Sequence, residues 1–460
     1  MKENRNQTRG NFAEGKVWRN IVAQAFPMML AQLVQLAYNI VDRIYIGHMQ
    51  DIGTMALTGI GLAFPLTTLV QAFTALYSTG GAPLFSIARG QKDDRRASKI
   101  LSQAVSLLLG TSVILFLICY IFRKPVLYLF GASDASYPYA DAYLKIYLFG
   151  TAFTMFSTGM NTFINAQGFP RLGMLTTVIG AALNLVLDPL FIFALDMGIE
   201  GAAIATVISQ AVSALWVLSF YLGKKTNYRI IPKYMIPDGK IIKSILSLGV
   251  TGFIAKGTNC AVQVLCNATL RVFGGDLYVG IMTCINSIRE IAELPIFALT
   301  NGAQPVLSFN YGARKFRRLR TGIKFSCTAS TIYTILGWCL IMGLPKMWIS
   351  IFTSDAAMIE SGVPAMKIYF ITFFFMAFQA AAQSTFVALG CSKRAVFFSL
   401  LRKAIIVIPL TILLPRLGMG VNGVFAAEPV SNVLGGLAAF TTMYLTLYRK
   451  LPKEDEPDTD

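Results

Sequence analysis

The sequence predicts an all-α integral membrane protein in which twelve transmembrane helices form two pseudo-symmetric six-helix bundles. Three observations predict it. Hydrophobic residues make up 55% of the 460 residues and charged residues only 14%, with a mean hydropathy of +0.59, a balance that suits a bilayer rather than water. Twelve stretches stay mainly apolar over the about 20 residues that a helix needs to cross about 30 Å of hydrocarbon. The second half also repeats the first at a fixed offset of 222 residues, so that Pro83 in G-G-A-P-L-F-S-I-A-R-G answers to Pro305 in G-A-Q-P-V-L-S-F-N-Y-G. At the same offset Arg95 and Arg96 pair with Arg317 and Arg318, Phe130 with Phe352, Lys145 and Tyr147 with Lys367 and Tyr369, Gly168 with Gly390, and Gly198 and Gly201 with Gly420 and Gly423. Doubled sets of apolar helices are a common build of secondary transporters, whose substrate path runs between the halves near the bilayer midplane.

In chain order, the first six apolar stretches run Val17 to Ile46, Met55 to Gly81, Ile100 to Phe122, Tyr139 to Ala166, Leu172 to Leu195 and Gly201 to Leu222. The second six keep the same rhythm: Ile242 to Val272, Val279 to Gly302, Phe325 to Leu344, Ala365 to Leu389, Ala395 to Leu414 and Gly423 to Tyr448. An even number of crossings per half lets both halves enter from one face, with their pseudo-two-fold axis along the membrane normal. The expected organisation is a cytoplasmic segment at 1–19, a first bundle at 20–222, a linker at 223–241, a second bundle at 242–448 and an acidic tail at 449–460.

The net charge of +17 has a simpler reading than a nucleic-acid partner, because the basic residues mark alternate loops. Lys2, Arg5, Arg9, Lys16 and Arg19 precede the first helix, and Arg89, Lys92, Arg95, Arg96 and Lys99 surround the loop after the second. Lys224, Lys225, Arg229, Lys233, Lys240 and Lys243 link the halves, and Arg314, Lys315, Arg317, Arg318 and Arg320 follow the eighth. The intervening loops are short and nearly free of Lys and Arg, which puts both termini in the cytoplasm of a cell membrane. No cleavable signal pattern precedes the first apolar stretch, so it is expected to stay as a spanning helix. The end from Lys453 to Asp460 reads as a disordered tail.

Seven cysteines fall nearly all within apolar stretches without C-x-x-C spacing and read as packing residues. The single histidine, His48, is too isolated for a metal site or a catalytic pair and reads as a surface or capping residue. No phosphate-binding loop, zinc-protease, nucleophile-elbow or dinucleotide motif occurs. This excludes a visible enzyme motif, and the expectation is no catalytic residue and no cofactor, with an ion gradient as the energy source.

Function then rests on the few polar side chains carried into the membrane, where an ionisable group is costly and marks a site by default. In the first helix, Gln32, Gln35, Tyr38, Asn39 and Asp42 recur at three- and four-residue steps and share one face. In the fifth, Asn184 and Asp188 stand four apart in N-L-V-L-D-P-L, and Thr206 of the sixth helix can point toward the same lobe. Two carboxylates, an amide and a hydroxyl form an oxygen-rich set suited to a shared proton or a small hard cation such as Na⁺. The alternative is that Asp42 pairs with Arg43 and Asp188 satisfies a neighbouring helix. The offset sends Asp42 to Val264 and Asp188 to Leu410, so the second half is no copy. Its acids are Glu290 and Glu293 on the eighth helix, where the offset matches them to Thr68 and Gln71, and Glu428 on the twelfth, which matches Thr206. Arg289 and Glu293 are spaced to neutralise each other as an i,i+4 pair. Asn259, Gln263, Gln379 and Gln383 suit a polar lumen and interhelical hydrogen bonding equally. Gln71 and Asn161 complete the candidate cavity-lining residues.

Asn39 to Gly47 (N-I-V-D-R-I-Y-I-G), Gln304 to Ala313 (Q-P-V-L-S-F-N-Y-G-A) and A-E-P-V-S-N around Glu428 and Pro429 resemble motifs of the multidrug and toxic compound extrusion (MATE) transporters, and the resemblance covers nearly the whole chain. It implies two six-helix bundles around a V-shaped cavity, alternating access, and export of amphipathic organic cations or other drugs in exchange for H⁺ or Na⁺. It also implies that Asp42, Asn184, Asp188 and Thr206 form the cation or proton site of the first lobe. The seventh and tenth helices, where other branches carry acids, hold Lys256, Gln379 and Gln383 here. The expected partners are a small organic substrate and membrane lipid, with the chain acting as a monomer. The runner-up is a flippase for a lipid-linked oligosaccharide, for which Lys256, Arg289, Arg402 and Lys403 would meet an anionic pyrophosphate.

Overall fold

The computed structural model describes residues 12–455 apart from 48, 50–52, 131, 135, 225 and 354; the side chains of residues 43, 44, 47, 53–58 and 276 also lie outside the described set. The expectations for His48, for the Arg43 side chain, for the basic residues before 12 and for the tail beyond 455 therefore fall outside the described residues.

The described chain is helical, with no strand among its elements. Among the described residues twelve long helices follow in order. In the first half they are α1 Val17–Gly47, α2 Gly53–Gly90, α3 Asp94–Ile121, α4 Tyr137–Tyr147 continued through a tight turn by Thr151–Ala166, α5 Pro170–Pro189 and α6 Gly198–Leu222. In the second they are α7 and α8, within Gly239–Gly312 and divided at Gly275, then α9 Phe316–Gly343, α10 Ala356–Phe370 continued by Met376–Ala388, α11 Ser392–Met419 and α12 Val421–Thr446. Ten of these are long and apolar enough to cross a membrane. The other two, α4 and α8, are broken or more polar: α4 turns at Leu148–Gly150, and α8 carries Arg289, Glu290 and Glu293.

Several helices outrun their apolar stretches. α3 begins at Asp94, whose preceding residue Asp93 accepts from the Arg96 amide at 2.8 Å; α10 begins after Asp355, which caps Ala357 at 2.9 Å. Capping carboxylates satisfy first-turn amides that hydropathy does not register, so each helix starts in residues that read as loop, for α3 the basic loop after α2.

The 222-residue offset is written into the backbone as well. Positive φ occurs at Lys92 and Arg314, Gly168 and Gly390, Asp196 and Gly418, and Gly198 and Gly420, each pair at that spacing. A short helix at Arg123–Leu129 has its counterpart at Pro345–Ser350. Gly275 separates α7 from α8 at φ 68°, ψ −168°, a region open essentially to glycine alone.

The chain divides into two compact units, one from Phe26 to Phe253 and the other combining Phe12–Ala25 with the chain from Ile254 onward. The first unit thus includes the start of α7, and the second the start of α1. In the first, Gly249 of α7 rests against the Leu76 carbonyl of α2 so closely that a Cβ has no room. Such contacts matter because lipid tails are as apolar as leucine, so helices in a bilayer associate through close packing and hydrogen bonds. In the second, Val17 and Ile21 join Leu307, Leu319 and Ile323 in one apolar cluster.

Basic and polar residues at the helix ends strap the connections down. Gln103 of α3 donates to the Tyr234 carbonyl at 2.6 Å and accepts from the Asp238 amide at 3.2 Å, and Ser102 accepts from the Ile231 amide at 3.0 Å. Tyr228 donates to Asp94 at 2.5 Å. Burial, reinforced by that bond, pushes its hydroxyl up to about 12. In the second unit, Arg318 donates to the carbonyls of Gly15, Phe12 and Glu14, and Arg320 to those of Tyr448 and Leu451. Residues that the charge pattern marks for one membrane face are also the ties that order the chain there.

Candidate functional site

The first unit gathers its ionisable groups where α1, α4, α5 and α6 meet. Asp188 is fully buried and Asn184 nearly so (0% and 2% exposed). One helical turn apart, they bond directly, Asn184 Nδ2 donating to Asp188 Oδ1 at 3.1 Å. The Asp42 carboxyl lies within hydrogen-bonding reach of Asp188. Tyr38, one turn before Asp42, reaches the Thr206 hydroxyl; that hydroxyl donates to the Ala202 carbonyl at 2.9 Å, which leaves one lone pair for Tyr38 and one open. Asp188 Oδ2 and Asn184 Oδ1 are buried and accept no hydrogen bond from the protein. Pro189 has no amide to donate backward, and a π-turn at Leu190–Ala194 follows it, so α5 changes its winding one residue after the buried acid.

All four residues expected to bind an ion are therefore brought together. Three that the sequence did not single out for the site join them. Tyr143 of α4 is buried beside Asp42, Asp188 and Tyr38, Tyr147 of α4 is buried beside Tyr143 and Tyr38, and Gln210 of α6 bonds Tyr147. One signal was available: Tyr147 is among the residues repeated at the 222 offset. Gln35 and Asn39 are exposed and bond each other at 3.1 Å. Gln71 is half-buried on α2, and Asn161 of α4 faces Gly173 of α5.

The second unit has a different arrangement at the corresponding positions. Glu428 of α12 is 4% exposed and accepts from Arg402 at 2.6 Å and from Lys403 at 2.9 and 3.0 Å. Arg402 and Lys403 stand on a π-turn, Leu401–Val407, inside α11. Arg289 of α8 lies 3.8 Å from Glu428 Oε1 and 3.8 Å from Glu293 Oε1, the latter the i,i+4 pair that the spacing indicates. Tyr369, the repeat partner of Tyr147, shares this cluster. The cleft beside it is lined by Asn259, Gln263 and Asn286 as well as by Arg289, Lys403 and Glu428. Glu290 is exposed, within electrostatic reach of Lys256. Gln379 and Gln383 donate to the Phe398 and Ala395 carbonyls at 3.4 and 2.9 Å, joining α10 to α11.

The fold has known counterparts. The MatE family model matches residues 27–190 and 253–413, one segment in each half of the chain. The chain belongs to the MatE family. Its curated relatives include the multidrug export protein MepA of Staphylococcus aureus, 22% identical over 94% of this chain and 95% of the relative, and MepA of Staphylococcus saprophyticus, 24% identical over the same shares. Among solved structures, the outward-facing conformation of a multidrug resistance MATE family transporter of the MOP superfamily superposes with a TM-score of 0.88 at 22% identity, covering 95% of this chain and 98% of that one. The MatE fold thus accounts for the twelve helices, and the chain is a multi-pass membrane protein.

Proposed function

We propose that this MatE protein is a secondary active antiporter in a cell membrane, both termini cytoplasmic, exporting drugs or other amphipathic, cationic organic compounds in exchange for H⁺ or Na⁺ by alternating access. The observation that carries the reading is the fully buried Asp188 with the half-buried Asp42 in hydrogen-bonding reach, beside Asn184 and Thr206. Two carboxylates in contact repel unless a proton or cation sits between them, so occupancy of the pair is tied to an ion. The carboxyl oxygens, Asn184 Oδ1 and the Thr206 hydroxyl would hold it, and the Tyr38 hydroxyl would orient Thr206. Release to the side of lower potential supplies about 2.3 kcal/mol per charge per 100 mV, equivalent to about one and a half decades of cargo gradient. The names of the relatives, multidrug export proteins, support the cargo class.

The test uses proteoliposomes loaded with ethidium, with pH and Na⁺ gradients imposed separately. Asp42→Asn and Asp188→Asn should each abolish gradient-driven efflux while the protein remains folded; unchanged efflux in both would overturn the reading. The second reading, a flippase for a lipid-linked oligosaccharide, draws on the buried Lys403 and the half-buried Arg289 and Arg402. It would prevail if such a lipid moved and the dye did not.

A further inference from the structure

The second unit's cluster does not balance. Among the described residues it sets three cations, Arg289, Arg402 and Lys403, against two carboxylates, Glu293 and Glu428. Glu290, on the same helix as Arg289, is exposed and lies within reach of Lys256 instead. Arg402 and Lys403 are committed to Glu428 at hydrogen-bond distance. Arg289 is not: it reaches both carboxylates only at 3.8 Å, and its Nε is buried without an acceptor. A half-buried cation held only by two long ion pairs keeps donor capacity unused, and a charge left partly unpaired is costly within a membrane. The cleft into which Arg289 faces also presents three amides that can donate, Asn259, Gln263 and Asn286, beside the paired Lys403 and Glu428 and a wall of mainly apolar side chains.

We propose that this cleft binds the carboxylate of an organic cargo, with Arg289 as its principal partner and the three amides completing the donor set. The inference rests on the export reading and deepens it: the cargo bears an anionic group beside its cationic part. A single surplus charge matches a monoanion better than a dianionic phosphate, and the planar guanidinium fits a carboxylate in bidentate fashion. Arg402 and Lys403, holding Glu428, position that counter-charge so that it does not collapse onto Arg289.

Binding is measured by fluorescence polarisation on the purified full chain in lipid nanodiscs, with no gradient present, using rhodamine 110, which carries a free carboxylate, and its methyl ester, rhodamine 123. The expected result is a preference for the free acid of about tenfold, the size of one charge-assisted hydrogen bond. In Arg289→Gln the ratio should fall toward unity, and in Arg289→Lys, which keeps the charge and loses the fork, it should stay severalfold. Equal affinity of the two dyes for the unaltered protein, or a ratio that persists in Arg289→Gln, overturns the proposal. Should Arg289→Gln fail to fold, a ratio in Arg289→Lys equal to that of the unaltered protein overturns it instead. Replacing methanesulfonate by chloride at constant ionic strength separates the sources: erasure of the preference would assign the site to a free ion and sink the cargo assignment. A binding preference without gradient-driven efflux of either dye would defeat the export reading and leave the subsite standing. Efflux of the ester with no preference would do the reverse.

Discussion

Replacing Glu428 should cost the fold far more than replacing Lys403, although each removes one partner of the same ion pair. Glu428→Gln leaves Arg402 and Lys403, both within 3.0 Å of the lost charge, and Arg289 with only Glu293 opposite. Breaking a buried pair in this sense costs about 3–5 kcal/mol. Lys403→Met leaves Glu428 bonded to Arg402 at 2.6 Å and near Arg289 at 3.8 Å, with cations and carboxylates in equal number. What is lost is one set of charge-assisted bonds, offset by relief from burying an ammonium, for a net of about 1 kcal/mol. At about 2–4 °C per kcal/mol for a unit of this size, the midpoint should fall by about 10 °C in the first variant and about 3 °C in the second. Thermal unfolding of the purified protein in detergent, followed by tryptophan fluorescence, measures this; Trp338 and Trp348 both report from the second unit. Equal shifts, or a larger one in Lys403→Met, would refute the charge count on which the reasoning rests.

Two further outcomes follow from the ordered connections. The Tyr228 hydroxyl is held protonated to about 12 by burial and Asp94, above its ordinary value of about 10, so its contribution is complete below the ordinary value and is lost as pH rises through the folded one. Limited proteolysis of the linker should therefore accelerate between about pH 10 and 12, and Tyr228→Phe, measured beside it, should remove that step. At Gly275 an added Cβ meets nothing within 4 Å, so Gly275→Ala isolates backbone strain. A loss of about 1–3 kcal/mol is expected in the same thermal assay, and a neutral substitution would show that the break between α7 and α8 is not held as described.

The twelve helices were legible because apolar length and the 222-residue repeat are linear signals, and the matched positive-φ pairs show that the repeat reaches the backbone. The helix starts at Asp94 and Ala356 were missed, since capping by Asp93 and Asp355 extends a helix through residues that hydropathy counts as loop. Asp42, Asn184, Asp188 and Thr206 were found together because three- and four-residue spacing within α1 and α5 is visible in one dimension. The grip of Lys403 and Arg402 on Glu428 was not, because partners 25 and 26 residues apart on different helices meet only through packing. Tyr147 and Tyr369 carry a signal in the repeat: each answers to the other, Tyr147 packs beside Tyr38 in the first unit's site, and Tyr369 stands beside Glu428 and Glu293 in the second.

The wide turn at Leu401–Val407 has a bearing on how easily this chemistry could change. A π-turn accommodates one residue more than the α-helix around it, and each residue advances a helix by about 100°. Excising a single amino acid there would restore ordinary winding and swing the following side chains off their present bearing by more than a quarter of a circle, carrying the ammonium out of the cleft with the rest of α11 intact. The surplus positive charge of the second unit thus hangs on the phase of one coil, and a one-codon deletion ahead of Lys403 would cancel it.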